Sequence, residues 1–431
     1  MITVFWFRRD LRLHDNAGLF EALKNNQNVL PIFIFDSNIL SKLNSDDRRL
    51  PFLHQTLNSM KSDLIKINSD FLIEYGNPLE VFKKIKSQHN IKNIYSNHDY
   101  EPDAIRRDDE ICRWAEAQGI EFKTFKDHVI FEKNEIQTDM AKPYTVYTPY
   151  KKKWLASLSN YYLKSYPIDL YQSNFYKFKV SESMPTLKQM GFSDSGYSYP
   201  EIIVSTQILK NYSEKRDFPA LDQTSKLGLH LRFGTVSPRE LAREGKKYSD
   251  VWLSELIWRD FFTQILFHFP HVAGESFRPQ YENIKWRTDA GDFERWSQGQ
   301  TGYPLVDAGM RELNATGHMH NRVRMVTASF LTKHLLIHWR SGERYFASKL
   351  LDYDLAANNG NWQWAAGTGC DAAPYFRIFN PTTQLEKFDK DLIYTKKWVP
   401  EFGTDKYAKQ MVDHVFARNR ALDSFKKGLG K

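Results

Sequence analysis

The sequence of 431 residues predicts an α/β N-terminal domain, built as a doubly wound parallel sheet, followed by an all-α domain. In the first 130 residues, short apolar runs alternate with stretches of helical periodicity. This alternation is typical of a parallel sheet with right-handed crossover helices. After about residue 200 the strand patterns disappear and only helical periodicity is left.

The predicted sheet has five strands, each a short run rich in residues that favour extended backbone. They are Ile2–Phe7, Val29–Phe35, Phe71–Tyr75, Ile91–Tyr95 and Glu121–Phe125. The helical stretches between them are Ala17–Leu23, Leu50–Ile67, Pro78–Lys86 and Ala104–Gln118. The first of these follows Asp15 and Asn16, residue types that favour the start of a helix.

Residues 131–200 lose this alternation and are rich in Ser, Tyr and Lys. We predict an interdomain linker there that wraps the surface or holds small pieces of structure. The predicted organisation is therefore an α/β domain at 1–130, a linker at 131–200 and a helical domain at 201–431. Within the last region, periodicity predicts the helices Trp252–Phe267, Leu305–Thr316, Asn321–His338 and Arg344–Leu351.

Composition excludes several classes of protein. No apolar run approaches the roughly 20 residues that cross a bilayer, so we expect no membrane association. The only two cysteines, Cys112 and Cys370, lie far apart and lack the spacing of a metal site or redox pair. We therefore expect a cytoplasmic protein without a metal.

Charge and tryptophan are concentrated in the second half of the chain. The formal charge of +8 divides into +2 for residues 1–200 and +6 for residues 201–431, and eight of the eleven tryptophans follow residue 200. A basic, tryptophan-rich region indicates a polyanionic partner. Mild basicity with tryptophans in the core explains the same numbers equally well.

One predicted helix face carries an unusual set of side chains. Glu255, Trp258, Arg259 and Phe262 are spaced at i, i+3, i+4 and i+7 and share that face. A carboxylate, an indole and a guanidinium are unsuited to a core, so they form either a half-exposed face with an internal ion pair or a surface that stacks on a flat ligand.

Two further stretches combine polar and aromatic side chains. Residues 321–325 place Asn321 and Met325 one helical turn apart, whereas Arg322 projects from another face. Residues 352–364 hold two acids, several amides and two tryptophans. Buried amides and carboxylates need hydrogen-bond partners, which a polar planar ligand such as a flavin provides, although a polar turn between helices is the alternative.

Several blocks of the chain, in this order, resemble the photolyase/cryptochrome family, and most closely the class I cyclobutane pyrimidine dimer DNA photolyases. The blocks are FWFRRDLRLHDN, YTVYTPYKKKW, TSKLGLHLRFGTVSPRE, ELIWRDFF, NRVRM and DLAANNGNWQW. The resemblance covers nearly the whole chain, from Thr3 to Pro400. It implies light-driven repair of cyclobutane pyrimidine dimers in DNA by electron transfer from reduced FAD, a carbon–carbon lyase reaction.

The resemblance also implies which residues hold FAD. They are Tyr212, Thr224, Ser225, Lys226, Leu227, Gly228, Trp252, Glu255, Arg259, Arg324, Asp352, Asp354 and Asn358. Gly228 replaces a serine that is usual in the family, which removes one hydroxyl from the phosphate-binding loop. Asn358 matches the position that faces flavin N5, where an amide favours the fully reduced anionic flavin on which repair depends.

On the substrate side, the resemblance implies that Glu255 hydrogen-bonds the dimer and Trp258 stacks on it. Asn321 and Met325 would complete the catalytic and DNA-binding site. Relatives that repair (6-4) photoproducts carry histidines at these last two positions, so Asn321 and Met325 favour the cyclobutane dimer. Arg216 and Arg322 match positions that bind DNA phosphates, a contact that is sensitive to salt.

Three tryptophans, Trp362, Trp339 and Trp286, match the family's electron-transfer relay between flavin and surface. The first domain of this family binds an antenna chromophore, a deazaflavin or a folate. Folate-binding members carry an acidic residue where this chain has Ala104, so the antenna can be a deazaflavin, a differently held folate, another flavin or absent. Among other functions, we weigh a cryptochrome-type blue-light photoreceptor, (6-4) photoproduct repair and a light-independent flavin-binding DNA module. We expect a monomer that acts on UV-damaged DNA.

Overall fold

The computed structural model describes residues 1–178, 183–194, 196–372 and 374–430. Their contacts form two compact units, neither of which is continuous in sequence. Unit 1 comprises residues 1–135, 156–203 and 226–247, and unit 2 comprises residues 136–155, 204–225 and 248–431. The predicted domain boundaries at residues 130 and 200 stay a prediction, because a compact unit is not necessarily a domain.

Unit 1 is built on a five-stranded, fully parallel sheet in the order β3-β2-β1-β4-β5. The strands are β1 (Ile2–Phe7), β2 (Val29–Asp36), β3 (Leu72–Gly76), β4 (Ile91–Asn97) and β5 (Glu121–Phe125). All five predicted strands are present, with ends that differ by one or two residues from the prediction. Central strands β1 and β2 are buried along their whole length, as expected for a sheet covered on both faces.

The helices of the first part of the chain alternate with these strands. They are α1 (Ala17–Asn25), α2 (Ser37–Leu40), α3 (Arg49–Lys66), α4 (Pro78–Gln88) and α5 (Pro102–Ala117). Asn16 caps α1, because its side chain accepts a hydrogen bond from the Leu19 amide at 3.1 Å. Asp15 does not cap the helix, since its carboxylate binds Ser237 and Arg239 instead.

A buried ion network joins a later part of the chain to this sheet. Arg12 lies 2.6 Å from Asp127, and Arg239 contacts both Asp127, at 2.8 Å, and Asp15, at 3.0 Å. All four side chains are nearly inaccessible to solvent. The network explains why α9 (Gly228–Phe233) and most of α10 (Pro238–Tyr248) belong to unit 1, although the sequence placed them with the helical domain.

The predicted linker region contains regular structure. Helix α6 (Tyr147–Ser157), helix α7 (Asn160–Leu163) and a 3₁₀ helix at Ile168–Asn174 lie within residues 131–200. Residues 179–182 and 195 of the predicted linker lie outside the described part of the chain. The expectation of small pieces of structure is confirmed for the described residues.

Unit 2 is helical. Its remaining helices are α8 (Thr206–Lys215), α11 (Asp250–His268), α12 (Ala290–Ser297), α13 (Pro304–Thr316), α14 (Asn321–Ser329), α15 (Trp339–Lys349), α16 (Leu355–Ala366), α17 (Pro381–Phe388), α18 (Ile393–Trp398) and α19 (His414–Gly428). Short 3₁₀ helices occupy Pro219–Leu221, Pro270–Ala273 and Pro279–Asn283.

Two predicted helices of unit 2 have the wrong bounds. The predicted helix Asn321–His338 is α14 followed by a π-helical turn at Phe330–His334, and it stops there because Leu336 adopts a positive φ of 53°. The predicted helix Arg344–Leu351 begins five residues earlier, at Trp339, where the His338 side chain caps it. Helices α11 and α13 extend their predicted ranges by one or two residues.

Among the described residues, no helix is both long and apolar enough to cross a membrane. Within the same residues, no group of three or more His, Cys, Asp or Glu side chains is arranged to hold a metal ion.

The buried ion network predicts a large stability effect for Asp127→Asn. The substitution keeps the shape of the side chain but leaves two buried guanidinium groups without their shared anion. Such a change costs about 3–5 kcal/mol of unfolding free energy. Urea denaturation measures it, and Asp63→Asn, at an exposed pair with Lys66, is the matched control with an effect of about 1 kcal/mol or less.

The same network predicts how stability depends on pH. Burial opposes ionisation of Asp127, but Arg12 and Arg239 outweigh it and lower the pKa of this carboxyl. Its stabilising contribution is therefore present above the unfolded pKa of about 3.9 and is lost as pH falls through the lower folded pKa.

Equal urea midpoints for Asp127→Asn and Asp63→Asn at neutral pH would contradict this account of the ion network in unit 1.

Candidate functional site

Helix α11 holds the side-chain set that the sequence singled out. Glu255 forms an ion pair there, but its partner is Arg216, at the end of α8, instead of Arg259 on its own helix. Burial, the largest effect, raises the pKa of Glu255, and Arg216 opposes this shift. The carboxyl group is therefore more easily protonated than an exposed glutamate and can donate as well as accept a hydrogen bond.

The indole of Trp258 lies in a cluster of aromatic rings. Its centroid is 3.4 Å from that of Tyr147, with only 5° between the planes, and 5.4 Å from that of Phe262. Trp258 is half-buried, so part of the ring is accessible. The sequence predicted a stacking surface at Trp258, and the structure adds a tyrosine that covers one face of it.

Helix α14 carries the next predicted group. Asn321 is its first residue and is exposed, and Met325 is half-buried one turn later. Arg322 contacts Asp217 at 2.8 Å and lies over the Phe388 ring. Both arginines that were predicted to bind DNA phosphates, Arg216 and Arg322, are thus paired with carboxylates of the chain itself.

A polar group forms where α14 faces the start of α16. Arg324 donates to Asp352 at 2.9 and 3.2 Å, so these two residues of the predicted FAD site form an ion pair. Asp354 caps α16 by accepting from the Ala357 amide at 3.1 Å. One turn further along, Asn358 is buried, so carboxylates, a guanidinium and an amide converge on one end of this helix.

The Asn358 amide is held by α15. Its Nδ2 donates to Glu343 Oε1 at 2.8 Å and to the Glu343 carbonyl at 3.2 Å. Burial raises the pKa of Glu343, against the effect of this hydrogen bond. Glu343 therefore fixes the orientation of the amide at the position that the resemblance assigns to flavin N5.

Two glycines allow α16 to approach its neighbours closely. A Cβ atom on Gly360 would overlap the Phe262 ring of α11, and a Cβ atom on Gly342 of α15 would overlap the Trp362 ring. Both positions lie in regular helix, so the requirement is for space and not for a special backbone conformation.

The three predicted relay tryptophans lie in unit 2. Trp362 and Trp339 are fully buried, and Trp286 is half-buried. The Trp362 ring abuts Gly342, one turn from Trp339 on α15. The His338 ring lies near both Trp286 and Trp339: its centroid is 5.2 Å from that of Trp286 and 5.8 Å from that of Trp339.

The predicted phosphate-binding loop is divided between the two units. Thr224 and Ser225 belong to unit 2, together with Tyr212 and Trp252, and Trp252 Nε1 donates to Ser225 Oγ at 3.4 Å. Lys226, Leu227 and Gly228 belong to unit 1, where Gly228 begins α9. The structure therefore groups only part of this loop with the other predicted FAD-contacting residues.

Three residues of this region escaped the sequence analysis: Tyr147, Glu343 and His338. Tyr147 and Glu343 each contact a predicted site residue from a different helix, and His338 lies beside two of the predicted relay tryptophans. Residue spacing and composition do not reveal such contacts. The one available signal was the block YTVYTPYKKKW, which resembled the family but was assigned no role in the site.

Unit 1 has a polar cavity of its own at the carboxyl ends of β1, β4 and β5. The lining residues are Arg8, Arg9, Asp10, Asn97, His98, Asp99, Asp127 and His128. Ligands of open parallel sheets bind at this edge, next to the point where the strand order reverses. Ala104 is buried on α5, so nothing at that position replaces the carboxylate expected of a folate binder.

The comparison with known families gives the deciding observation. Residues 3–168 match the DNA photolyase family, and residues 252–405 match the FAD binding domain of DNA photolyase. The chain belongs to the DNA photolyase family. The second match includes α11, α14, α15 and α16, which carry most of the predicted site.

Individual DNA photolyases agree with this assignment. A deoxyribodipyrimidine photo-lyase of Escherichia coli is 36% identical over 422 residues, which cover 92% of this chain and 88% of that protein. An archaeal photolyase of Sulfolobus tokodaii, solved with two FAD molecules, is 34% identical with a TM-score of 0.86, covering 99% of this chain and all of that one. A cryptochrome of Synechocystis, 26% identical, has a TM-score of 0.87 over 98% of both chains.

The donor set of unit 2 fits the FAD that the family's domain implies. A flavin ring presents both hydrogen-bond donors and acceptors along one planar edge. Arg324 can donate, whereas Asp352, Asp354 and the Asn358 amide oxygen can accept, and all four residues lie at one end of α16. Hydrogen bonds in a partly buried site of this kind satisfy such a ligand without leaving unpaired polar atoms.

The close approach of α16 to α11 yields a prediction for Gly360→Ala. The new methyl group must displace the Phe262 ring, and overpacking of this kind costs about 1–3 kcal/mol of unfolding free energy. Because Asn358 lies on the same helix, we also expect less FAD to be retained. Thermal unfolding and the flavin-to-protein absorbance ratio measure the two effects.

Gly274→Ala is the matched control, since a Cβ atom there has no neighbouring atom within 4 Å and Gly274 has an ordinary negative φ. Wild-type unfolding and FAD content for Gly360→Ala would show that the contact with Phe262 does not position α16.

Proposed function

We propose that the protein is a deoxyribodipyrimidine photo-lyase, a carbon–carbon lyase that uses light to split cyclobutane pyrimidine dimers in DNA. The observation that carries the proposal is that α11, which bears Glu255 and Trp258, packs directly on α16, whose start bears the polar residues, through the contact between Phe262 and Gly360. Glu255 and Trp258 suit a flat, carbonyl-rich substrate, and the polar residues of α16 suit a flavin. Neither group alone distinguishes a repair enzyme from a flavoprotein of another kind.

The substrate is a dimer that has left the stack of the duplex. Flipping a damaged base out of DNA costs least where pairing is already weakened, which favours the lesion over normal bases. Trp258 stacks on the exposed dimer, and the easily protonated Glu255 hydrogen-bonds a carbonyl oxygen that gains negative charge. Asn321 and Met325 line the same site and supply no proton donor of the kind that (6-4) repair needs.

The residues at the end of α16 hold FAD. When bound, FAD supplies the light-excited electron that opens the cyclobutane ring and receives it back afterwards, so no net oxidation occurs. Asn358, oriented by Glu343, presents an amide that does not protonate the flavin ring. Arg324, Asp352 and Asp354 bind the edge of the flavin ring. The rest of the cofactor is contacted by the other residues that the resemblance implies: Tyr212, Thr224, Ser225, Lys226, Leu227, Gly228, Trp252, Glu255 and Arg259.

DNA binding uses side chains that are paired within the protein. Arg216 and Arg322 exchange their carboxylate partners, Glu255 and Asp217, for DNA phosphates. Release of Glu255 from Arg216 removes the charge that opposes its raised pKa, so DNA binding itself makes Glu255 a better donor. The phosphate contacts predict an affinity that falls with increasing salt.

The tryptophans at 362, 339 and 286 form a row of oxidisable rings that restores the reduced cofactor by short electron transfers. The carboxyl edge of the unit 1 sheet, where Arg8, Asp99 and His128 lie, is the place we propose for an antenna chromophore, a deazaflavin or a folate. We also propose that the protein works in the cytoplasm as a monomer; two thiols that form no disulfide suit a reducing compartment.

A light-dependence assay tests the proposal. The protein with reduced FAD is mixed with an oligonucleotide that carries one cyclobutane thymine dimer, and dimers are counted after illumination or darkness. We expect loss of dimers only in light, and a reduction of about two- to tenfold for Glu255→Ala, which loses one hydrogen bond but keeps FAD.

The outcomes of this assay separate the candidate functions. Dimers that persist in light would contradict repair and favour the cryptochrome-type photoreceptor. Loss of (6-4) photoproducts in a parallel oligonucleotide, with the cyclobutane dimer intact, would show that the argument from Asn321 and Met325 is wrong.

The relay predicts a selective defect for Trp286→Phe. Phenylalanine is much harder to oxidise than tryptophan, so photoreduction of the protein with oxidised FAD should become slower, whereas repair by protein reduced beforehand should not change. Absorbance at the flavin band follows the first process and the dimer assay follows the second. Trp114→Phe, on α5 of unit 1, is the control, and equal photoreduction of the two variants would contradict the relay.

A further inference from the structure

Helix α6 contacts α11 through its side chains, although the sequence placed it in a linker. The residues at i, i+3, i+4 and i+7 of α6 are Tyr147, Tyr150, Lys151 and Trp154, which share one face. This face contacts the same stretch of α11 that carries Glu255 and Trp258. The linker assignment therefore hid an element that supports the substrate side of the site.

Several contacts fix α6 in place. Lys151 Nζ donates to Ser254 Oγ at 2.6 Å, and Trp154 Nε1 donates to Asp260 at 3.0 Å. Tyr150 is buried with its ring centroid 5.3 Å from that of Phe261. Residues 147–154 of the helix are therefore held against α11, and Tyr147 lies on a fixed support.

Tyr147 is itself held at three points. Its ring stacks on Trp258 with 3.4 Å between centroids, and its hydroxyl donates to the Ser254 carbonyl at 2.9 Å. Its backbone amide donates to Asp371 at 2.9 Å. With both its ring and its backbone anchored, Tyr147 can fix the plane of the indole that lies against it.

We propose that Tyr147 is a positioning residue for the dimer: it covers one face of Trp258 and holds the indole ready to receive the flipped pyrimidines on its accessible part. This inference rests on the proposed function, in particular on the role of Trp258. Ordering a side chain during binding costs free energy, and an indole that is already fixed avoids that cost.

The position of Tyr147 is not explained by a role in proton transfer. The acceptor of its hydroxyl is a backbone carbonyl, which is not a base, and burial followed by Glu255 raises the pKa of the phenol. The ring contact is therefore the feature that a substitution should target.

Binding in the dark tests the inference without catalysis. Fluorescence anisotropy compares an oligonucleotide carrying one cyclobutane dimer with its undamaged counterpart, using the FAD-bound protein. Tyr147→Leu should weaken discrimination between the two about two- to tenfold, the scale of ordering one side chain on binding. Tyr147→Phe keeps the ring and should restore discrimination to within about twofold of the wild type.

Two controls separate positioning from general damage. Leu155→Ala changes an exposed side chain of the same helix that has no part in holding Tyr147, and it should leave discrimination unchanged. The flavin absorbance spectrum and the unfolding temperature show whether Tyr147→Leu is intact. If that variant does not fold, Tyr147→Met, which keeps apolar bulk but has no flat ring, takes its place with the same expected loss.

A double-mutant cycle with Trp258→Ala completes the test. If Tyr147 acts through Trp258, adding Tyr147→Leu to Trp258→Ala should cause little further loss. Wild-type discrimination in Tyr147→Leu, or fully additive losses, would overturn the inference while the role of Trp258 stands. Wild-type discrimination in Trp258→Ala would instead overturn the substrate role in the proposed function.

Discussion

Helix α16 passes so close to α11 and α15 that only glycine fits at two of the contacts, and the site of unit 2 depends on that approach. Gly360 meets the Phe262 ring of α11, and Gly342 of α15 meets Trp362. The ends of α16 are also held, by the Asp354 cap and by buried Lys333, which donates to the Ala366 carbonyl at 2.6 Å. A carboxylate at the start of a helix suits its dipole.

The chemistry of the site follows from this fixed helix. Within α16, Asn358 reaches Glu343 of α15, and Trp362 lies one turn further along. A single helix thus sets the positions of the Asn358 amide, which we propose faces the cofactor, and of Trp362, the first ring of the proposed relay. Helix α11 is held against α16 through Phe262 and against α6 through Tyr147, and it carries Glu255 and Trp258, the side chains that we propose bind the substrate.

The sheet, the main helices and the family could be predicted from the sequence, because hydrophobic periodicity is visible within each segment and several motifs occur in the family's order. The prediction failed for features that depend on contacts between two separate elements. Helix α6 has little apolar periodicity, and its value lies in contacts with α11. The helical stretch ends after His334 without a proline or glycine that would have indicated the end in the sequence. Helix α15 begins after a histidine cap, and histidine is rarely found at the start of a helix. The partner of Glu255 was likewise an arginine from α8 and not its neighbour Arg259.

The central claim is that the end of α16 binds the flavin ring while Glu255 and Trp258 receive a flipped dimer. A crystal structure of the FAD-bound protein with a duplex that contains one cyclobutane dimer tests this most directly. The account predicts a hydrogen bond from Arg324 to the flavin ring, hydrogen bonds from the ring to the Asn358 Oδ1 and Asp352 oxygens, and the dimer outside the duplex against the Trp258–Tyr147 pair. A flavin bound elsewhere, or a dimer that stays stacked in the duplex, would contradict it.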